Sequence, residues 1–197
     1  MIIWVAALIG YLLGSISFSF IIAKRVAGID IRQHGSGNAG ATNTLRVLGK
    51  GAGILVLLLD ALKGIVAVGL ASLIADGNAT AVALAGLAAI LGHNWPVFFG
   101  FRGGKGVATT VGVIASLSFF VFIWAVVVTV IVIFLTRYVS LGSLVFFTLA
   151  PILMFIHGDP GPYVLTTLAI AALGFVRHHE NIARLIKGTE NKLGASK

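Results

Sequence analysis

The chain has 197 residues, of which 58% are hydrophobic and only 10% charged, with a mean hydropathy of +1.06. Soluble domains carry about a quarter charged residues, so an aqueous globular fold is excluded; one domain over residues 1–197 is expected, with several spans of about 20 residues each. The absence of cysteine rules out disulfides, cysteine-ligated zinc and a thioester acyl-enzyme; the net charge of +8 lies in loops between apolar segments, where the positive-inside rule explains it without nucleic acid.

Residues Met1 to Ala23 are uncharged, and the first basic residues are Lys24 and Arg25. This is unlike a cleavable signal peptide; it predicts a retained first span over 2–23 whose C-terminal end is cytoplasmic. Further apolar segments fall at 52–75, 79–92, 107–135, 139–156 and 162–176. The connectors sort by charge. Residues 24–50 hold Lys24, Arg25, Arg32, Arg46 and Lys50 against Asp30, the next polar stretch holds Arg102 and Lys105, and the 136–138 turn holds Arg137. The tail holds Arg177, Arg184, Lys187, Lys192 and Lys197, whereas the 76–78 and 157–161 turns have only Asp76 and Asp159 as charges.

The segment 107–135 decides the topology. As one helix, its 29 uncharged residues would put Arg137 and the basic tail on opposite sides of the membrane. As a hairpin of two short helices, turning near Ser116-Leu-Ser118, it gathers every basic connector on one side. The expectation is an all-α integral membrane protein with seven transmembrane helices, some of them short. Its N-terminus lies outside, its C-terminus is cytoplasmic, and a short amphipathic helix with Ile182, Leu185 and Ile186 on its apolar stripe follows the last span. A helix of about 14 residues rises only about 21 Å, so the short ones are tilted, mismatched or partly buried. Asp60 and Lys63 sit inside the second span at i,i+3 spacing. Two readings stay open: an internal ion pair behind the site, or a lysine facing the cavity.

Three polar clusters interrupt the apolar sequence. In the first, Gly35-Ser36-Gly37-Asn38-Ala39-Gly40 satisfies G-x-G-x-x-G, but no strand precedes it, so a dinucleotide site is not supported. Small residues still permit a nest of backbone N–H groups. A helix starting near Ala41 or Thr42 adds its dipole, and Arg46 lies one turn along, able to grip phosphate bidentately. The second ends Arg102-Gly103-Gly104-Lys105-Gly106, superficially like a P-loop but with Gly106 where Ser or Thr is required. Lys105 bracketed by glycines reaches an anion as a point charge. Trp95, Phe98, Phe99 and Phe101 read as an interfacial aromatic belt, and His93 as either a packing histidine or a base. The third cluster places His178 and Asn181 one turn apart on a shared face, with Glu180 and Arg184 spaced to pair. No histidine has an aspartate five positions on, and His178, His179 and Glu180 are adjacent in sequence; neither an H-x4-D acyltransferase centre nor a metal site is expected.

The blocks SGNAGATNTLR (36–46), DALKG (60–64), GHNWPVFFGFRGGKGVAT (92–109) and RHHENIARLIKGTE (177–190) together resemble the bacterial acyl-phosphate:glycerol-3-phosphate acyltransferases, the PlsY family, along the full length. The resemblance implies transfer of a fatty acyl group from acyl phosphate to glycerol-3-phosphate, the first acylation of phospholipid synthesis. It implies a site facing the cytoplasm in the bacterial inner membrane, without cofactor, metal, nucleic acid or obligate protein partner; membrane lipids surround it. Both substrates carry phosphate, which accounts for the anion-ready clusters. An acyl phosphate has a good leaving group, so positioning and charge stabilisation suffice without a covalent intermediate.

On this reading Ser36, Arg46, Lys105, His178 and Asn181 are catalytic, and Gly37, Asn38, Thr42, Asn43, Gly103, Gly104 and Ser143 bind substrate. Ser36–Asn38 with Lys105 would hold the acyl phosphate, and Arg46, His178 and Ser143 the glycerol-3-phosphate; Asn181 would orient a reacting group. The proton of the attacking hydroxyl goes either to His178 or to the substrate's own phosphate. The rival class is a transporter or channel for a small phosphorylated solute, against which stand only two embedded charges and no evident inverted repeat. A basic scaffold gathering anionic lipids leaves the Gly-Asn-Thr pattern unexplained.

Overall fold

The computed structural model describes residues 1–194; Lys197 of the basic tail lies outside them. Among the described residues every regular element is helical. The chain forms two compact units, Met1–Leu117 and Ser118–Lys197.

The first unit contains α1 (Ile2–Gly14), α2 (Phe18–Ala27), α3 (Ala41–Leu48), α4 (Lys50–Ile74), α5 (Ala79–Asn94) and α6 (Val107–Leu117). The expected first span is thus two helices. Ser15 donates its hydroxyl to the Tyr11 carbonyl at 2.8 Å, competing with the backbone as serines do, and the chain restarts at Phe18. A left-handed Gly28 then ends α2. Asn78 starts α5 by accepting from the Ala81 N–H at 3.0 Å.

Small residues set how closely these helices approach. A side chain at Gly10 or Gly14 of α1 would strike the carbonyls of Ala85 or Ala89 on α5, and one at Gly92 would strike Tyr11. Likewise Gly112 of α6 lies against the Ala61 carbonyl of α4, and Gly53 against Leu45 of α3. Close backbone approach of this kind is how helices associate in lipid, where no hydrophobic drive acts between them.

The second unit contains α7 (Phe119–Thr136), α8 (Val139–His157), α9 (Gly161–Arg177) and α10 (His179–Ile186). The apolar run of 107–135 does break, with α6 ending at Leu117 and an extended Ser118 (φ −153°) capping α7. Arg137 turns the chain in the left-handed region, φ 63°. Gly142 admits the Ile133 side chain, and Gly174 of α9 seats the Phe147 ring of α8. The C-terminal segment returns to the head of α8, where Arg137 donates from Nε and Nη2 to the Leu193 carbonyl at 3.1 and 2.8 Å.

Among the described residues, five helical stretches are long and apolar enough to cross a bilayer: Ile2–Ala27, Lys50–Ile74, Ala79–Phe99, Phe119–Thr136 and Val139–His157. Val107–Leu117 and Gly161–Arg177 are shorter and apolar. Only 11% of the apolar window of α7 is buried, and Phe134 and Leu135 are 82% and 73% exposed. A face this apolar is stable only against lipid.

Candidate active site

The first polar cluster is a short 3-10 turn, Ile31–Gln33, followed by the glycine-rich loop and the start of α3. Gly35 and Gly37 have φ of 61° and 71°, a conformation L side chains resist. The loop is built around Asn43. Its Oδ1 accepts from the Ser36 N–H at 2.8 Å, and its Nδ2 donates to the His34 and Ile31 carbonyls at 3.0 and 3.2 Å. Asn43 is 1% exposed, and these three contacts lie within the loop rather than at its surface. The Gly37 N–H also turns inward, to the His34 carbonyl at 3.0 Å. Two amides of the expected nest are therefore already engaged, and the loop turns the exposed Ser36 outward beside the half-buried Asn38. Thr42 is half-buried and Arg46 exposed, one turn apart on α3. Thr44 anchors this helix, sharing a buried hydrogen bond of 2.7 Å with Ser19 of α2.

The second cluster begins at the end of α5. Pro96 starts a second 3-10 turn, Val97–Phe99, and left-handed Gly100 and Phe101 reverse the chain. Gly103 and Gly104 then donate their N–H groups to the carbonyls of Asn94 and His93, at 3.2 and 3.1 Å. This return places half-buried Lys105 just before α6.

The two loops adjoin. A side chain at Gly104 would meet the Ala39 carbonyl 2.8 Å away, and the Phe20 and Phe99 rings meet at a tilt, their centres 5.0 Å apart. Arg32 crosses between them, donating from Nη1 to the Phe99 carbonyl at 2.7 Å. Its Nε and Nη2 hold Asp30 at 2.9 and 2.8 Å, and its plane lies 4.9 Å from the Phe20 ring centre. The Arg32 guanidinium holds the Asp30 carboxyl below the usual carboxylate range. In the sequence Arg32 reads only as loop charge; the one signal of its role there is Asp30, two residues before it in a basic loop. Ser36, Asn38, Thr42, Arg46, Gly103, Gly104 and Lys105 thus all lie on one pair of adjoining loops and the helix they launch.

Behind the loops, Asp60 and Lys63 form the internal ion pair at 2.7 Å, 1% and 3% exposed. Of the two readings this is the one observed. Lys63 also touches His93, so His93 is a buried packing partner of that pair.

In the second unit, His178 ends α9 and precedes α10. Its Nδ1 lies 2.7 Å from the Gly174 carbonyl. A carbonyl only accepts, so Nδ1 carries the hydrogen and Nε2 is the basic nitrogen of the neutral ring. Phe147 meets the ring edge-on at 5.8 Å. Asn181 donates from Nδ2 to Glu190 Oε1 at 2.7 Å, joined there by Ser140 Oγ at 3.1 Å. Arg184 donates from Nε to Glu190 Oε2 at 2.7 Å, closer than its expected partner Glu180 at 3.7 Å. Burial raises the Glu190 carboxyl, but hydrogen bonds from Arg184, Asn181 and Ser140 outweigh it and hold it below its ordinary value. Glu190 was missed, although it is one of only two acids in the basic tail. Ser143, one turn beyond Ser140 on α8, is 3% exposed and donates to the Val139 carbonyl at 2.8 Å.

These helices and loops define a multi-pass, all-α integral membrane protein with basic, glycine-rich loops between its apolar helices. A family model described as glycerol-3-phosphate acyltransferase matches residues 4–188, and the chain belongs to that family. It is 55% identical over 199 residues to a protein of Halalkalibacterium halodurans named glycerol-3-phosphate acyltransferase, covering 98% of this chain and 97% of that one. It also matches the crystal structure of PlsY (YgiH), described as an integral membrane glycerol 3-phosphate acyltransferase. The glycerol 3-phosphate form is 42% identical with a TM-score of 0.92, covering 98% and 96% of the two chains. The lysophosphatidic acid form is 41% identical with a TM-score of 0.88, covering 98% and 95%.

Proposed function

We propose that this chain transfers a fatty acyl group from acyl phosphate to glycerol-3-phosphate, releasing 1-acylglycerol-3-phosphate and inorganic phosphate. The observation that carries this is the near-complete match, at 42% and 41% identity, to an acyltransferase solved in glycerol 3-phosphate and lysophosphatidic acid forms. The adjoining loops suit phosphate-bearing substrates for their own reasons: Lys105 and Arg46 supply charge, and the glycines let backbone come close.

The roles follow the chemistry. Ser36, Gly37, Asn38, Gly103, Gly104 and Lys105 hold the acyl phosphate, with Asn43 shaping the loop that presents Ser36. Arg46, Thr42, His178 and Ser143 hold glycerol-3-phosphate, and Asn181 orients a reacting group. The glycerol hydroxyl oxygen attacks the acyl carbonyl carbon, the carbon–oxygen bond to phosphate breaks, and phosphate departs with that bond's electrons. The hydroxyl proton passes to the substrate's own phosphate, because two neighbouring phosphates favour an imidazolium at His178, which is no base. No covalent acyl-enzyme is required.

The chain works as one catalytic domain, a reading supported by a family match that runs through both compact units. The short α6 and α9 join the five longer stretches to give seven crossings, with the N-terminus outside. The basic loops then face the cytoplasm of a bacterial inner membrane.

Purified protein in a lipidic phase, given palmitoyl phosphate with and without glycerol-3-phosphate, tests the proposal. Acceptor-dependent phosphate release with lysophosphatidate appearing one for one is expected. Folded protein that releases none, but passes labelled glycerol-3-phosphate into sealed liposomes, would make it a transporter.

A further inference from the structure

The geometry points to His93 as a positioning residue, locked by Lys63 into the tautomer that supports the Lys105 loop. The inference rests on the phosphate-holding role given above to Lys105.

It begins at Lys63. An ammonium carries three hydrogens and no lone pair. Lys63 Nζ is ion-paired with Asp60 Oδ1 at 2.7 Å and has the Ile16 carbonyl at 2.8 Å and His93 Nδ1 at 3.0 Å within hydrogen-bond reach. The Phe18 ring lies 5.7 Å from Nζ, and Lys63, Asp60 and His93 are all buried. The Ile16 carbonyl is there to accept because the chain breaks between α1 and α2. Asp60 Oδ1 is 3.5 Å from His93 Nδ1, beyond a good hydrogen bond, so the ammonium is the closer partner of that nitrogen.

A nitrogen that accepts from an ammonium presents its lone pair. The His93 ring is therefore neutral and carries its hydrogen on Nε2. That Nε2 lies against Gly104, so closely that any side chain at 104 would collide with it. The His93 carbonyl meanwhile accepts from the Gly104 N–H at 3.1 Å. His93 thus meets the residue before Lys105 twice, accepting its N–H at the backbone and packing the ring edge against it. The buried charge pair fixes which ring edge faces the loop.

Two substitutions separate this role from simple burial. Asn places its amide near the Nδ1 position, satisfying Lys63 but leaving the loop side empty; Gln extends a donor to the Nε2 position. If His93 positions the loop, His93→Gln keeps a KM for palmitoyl phosphate close to the parent's. His93→Asn then raises that KM about 10-fold, with a smaller change in kcat, since small misplacements of binding groups are costly. The reverse order, with Asn rescuing and Gln not, would overturn the proposal in favour of a merely structural histidine. The parent protein supplies a test that needs no variant. In ¹⁵N-histidine-labelled protein, His93 is expected to show a protonated Nε2 and an unprotonated Nδ1; a protonated Nδ1 sinks the idea. Parent protein without acyl transfer would count against the enzymatic reading instead, and leaves the nitrogen spectrum to decide the tautomer.

Discussion

Arg32 and the carbonyl of Phe99, 2.7 Å apart, tie the first glycine-rich loop to the second. The same guanidinium is held flat by Asp30 and lies over Phe20, so its planar fork is used on three sides. Lysine offers a point charge and cannot reproduce that fork. Arg32→Lys is therefore expected to behave like Arg32→Ala, each lowering kcat/KM about 10-fold or more through loop misplacement. Steady-state kinetics on both variants checks this; a lysine variant at parental activity would show that charge alone matters.

Glu190 gathers Ser140, Asn181 and Arg184 around one carboxylate. Its folded-state value is lowered, so the stability it contributes is fully present above its ordinary value of 4.5 and is lost as pH falls through the lower folded value. Glu190→Ala should cost about 2 kcal/mol, a figure kept modest because Arg184 is 35% exposed. It should also flatten the acid limb of a melting-temperature profile in detergent. An unchanged acid limb would mean that another carboxylate governs it.

Two glycine-to-alanine changes in the first unit should act in opposite directions. At Gly112 the added methyl meets the Ala61 carbonyl, whereas at Gly69 nothing lies within 4 Å. Gly69→Ala is expected to stabilise α4 by up to about 1 kcal/mol. Gly112→Ala should destabilise by about 1–3 kcal/mol, since backbone must move. Thermal unfolding of both variants measures the contrast.

His178 donates from Nδ1 to Gly174, which fixes the ring. With the substrate phosphate taking the proton, His178→Gln, which retains a donor, should keep turnover well above that of His178→Ala. Equal and near-total loss in both would restore His178 as general base, whose removal costs about 10²–10⁴-fold.

The apolar spans were legible because length and composition suffice to mark them, and Ser118 broke the long run where charge sorting required. The division of the first span was not legible. Serines in an apolar run, here Ser15, Ser17 and Ser19, are ordinary, and the partner that takes up the Ile16 carbonyl lies 47 residues away. The pairing of Asp60 with Lys63 could be read from helical spacing, but their meeting with His93 needed the fold. The same holds at the loops. Glycines and an asparagine suggested a nest of open amides, while the structure turns two of those amides inward, one onto Asn43. Side-chain chemistry was visible in the sequence; the direction of a backbone N–H was not.

The interruption between α1 and α2 also bears on how the protein is made. Synthesis runs from the N-terminus, so Ile16 emerges well before Lys63, the residue that caps its carbonyl. Until that lysine is translated, the Ile16 carbonyl left outside the helices by the break has no ammonium to accept from. The ammonium of α4 then fills a place that the earlier break has opened, so the shape of the first-made segment prepares the seat of a charge pair completed after it.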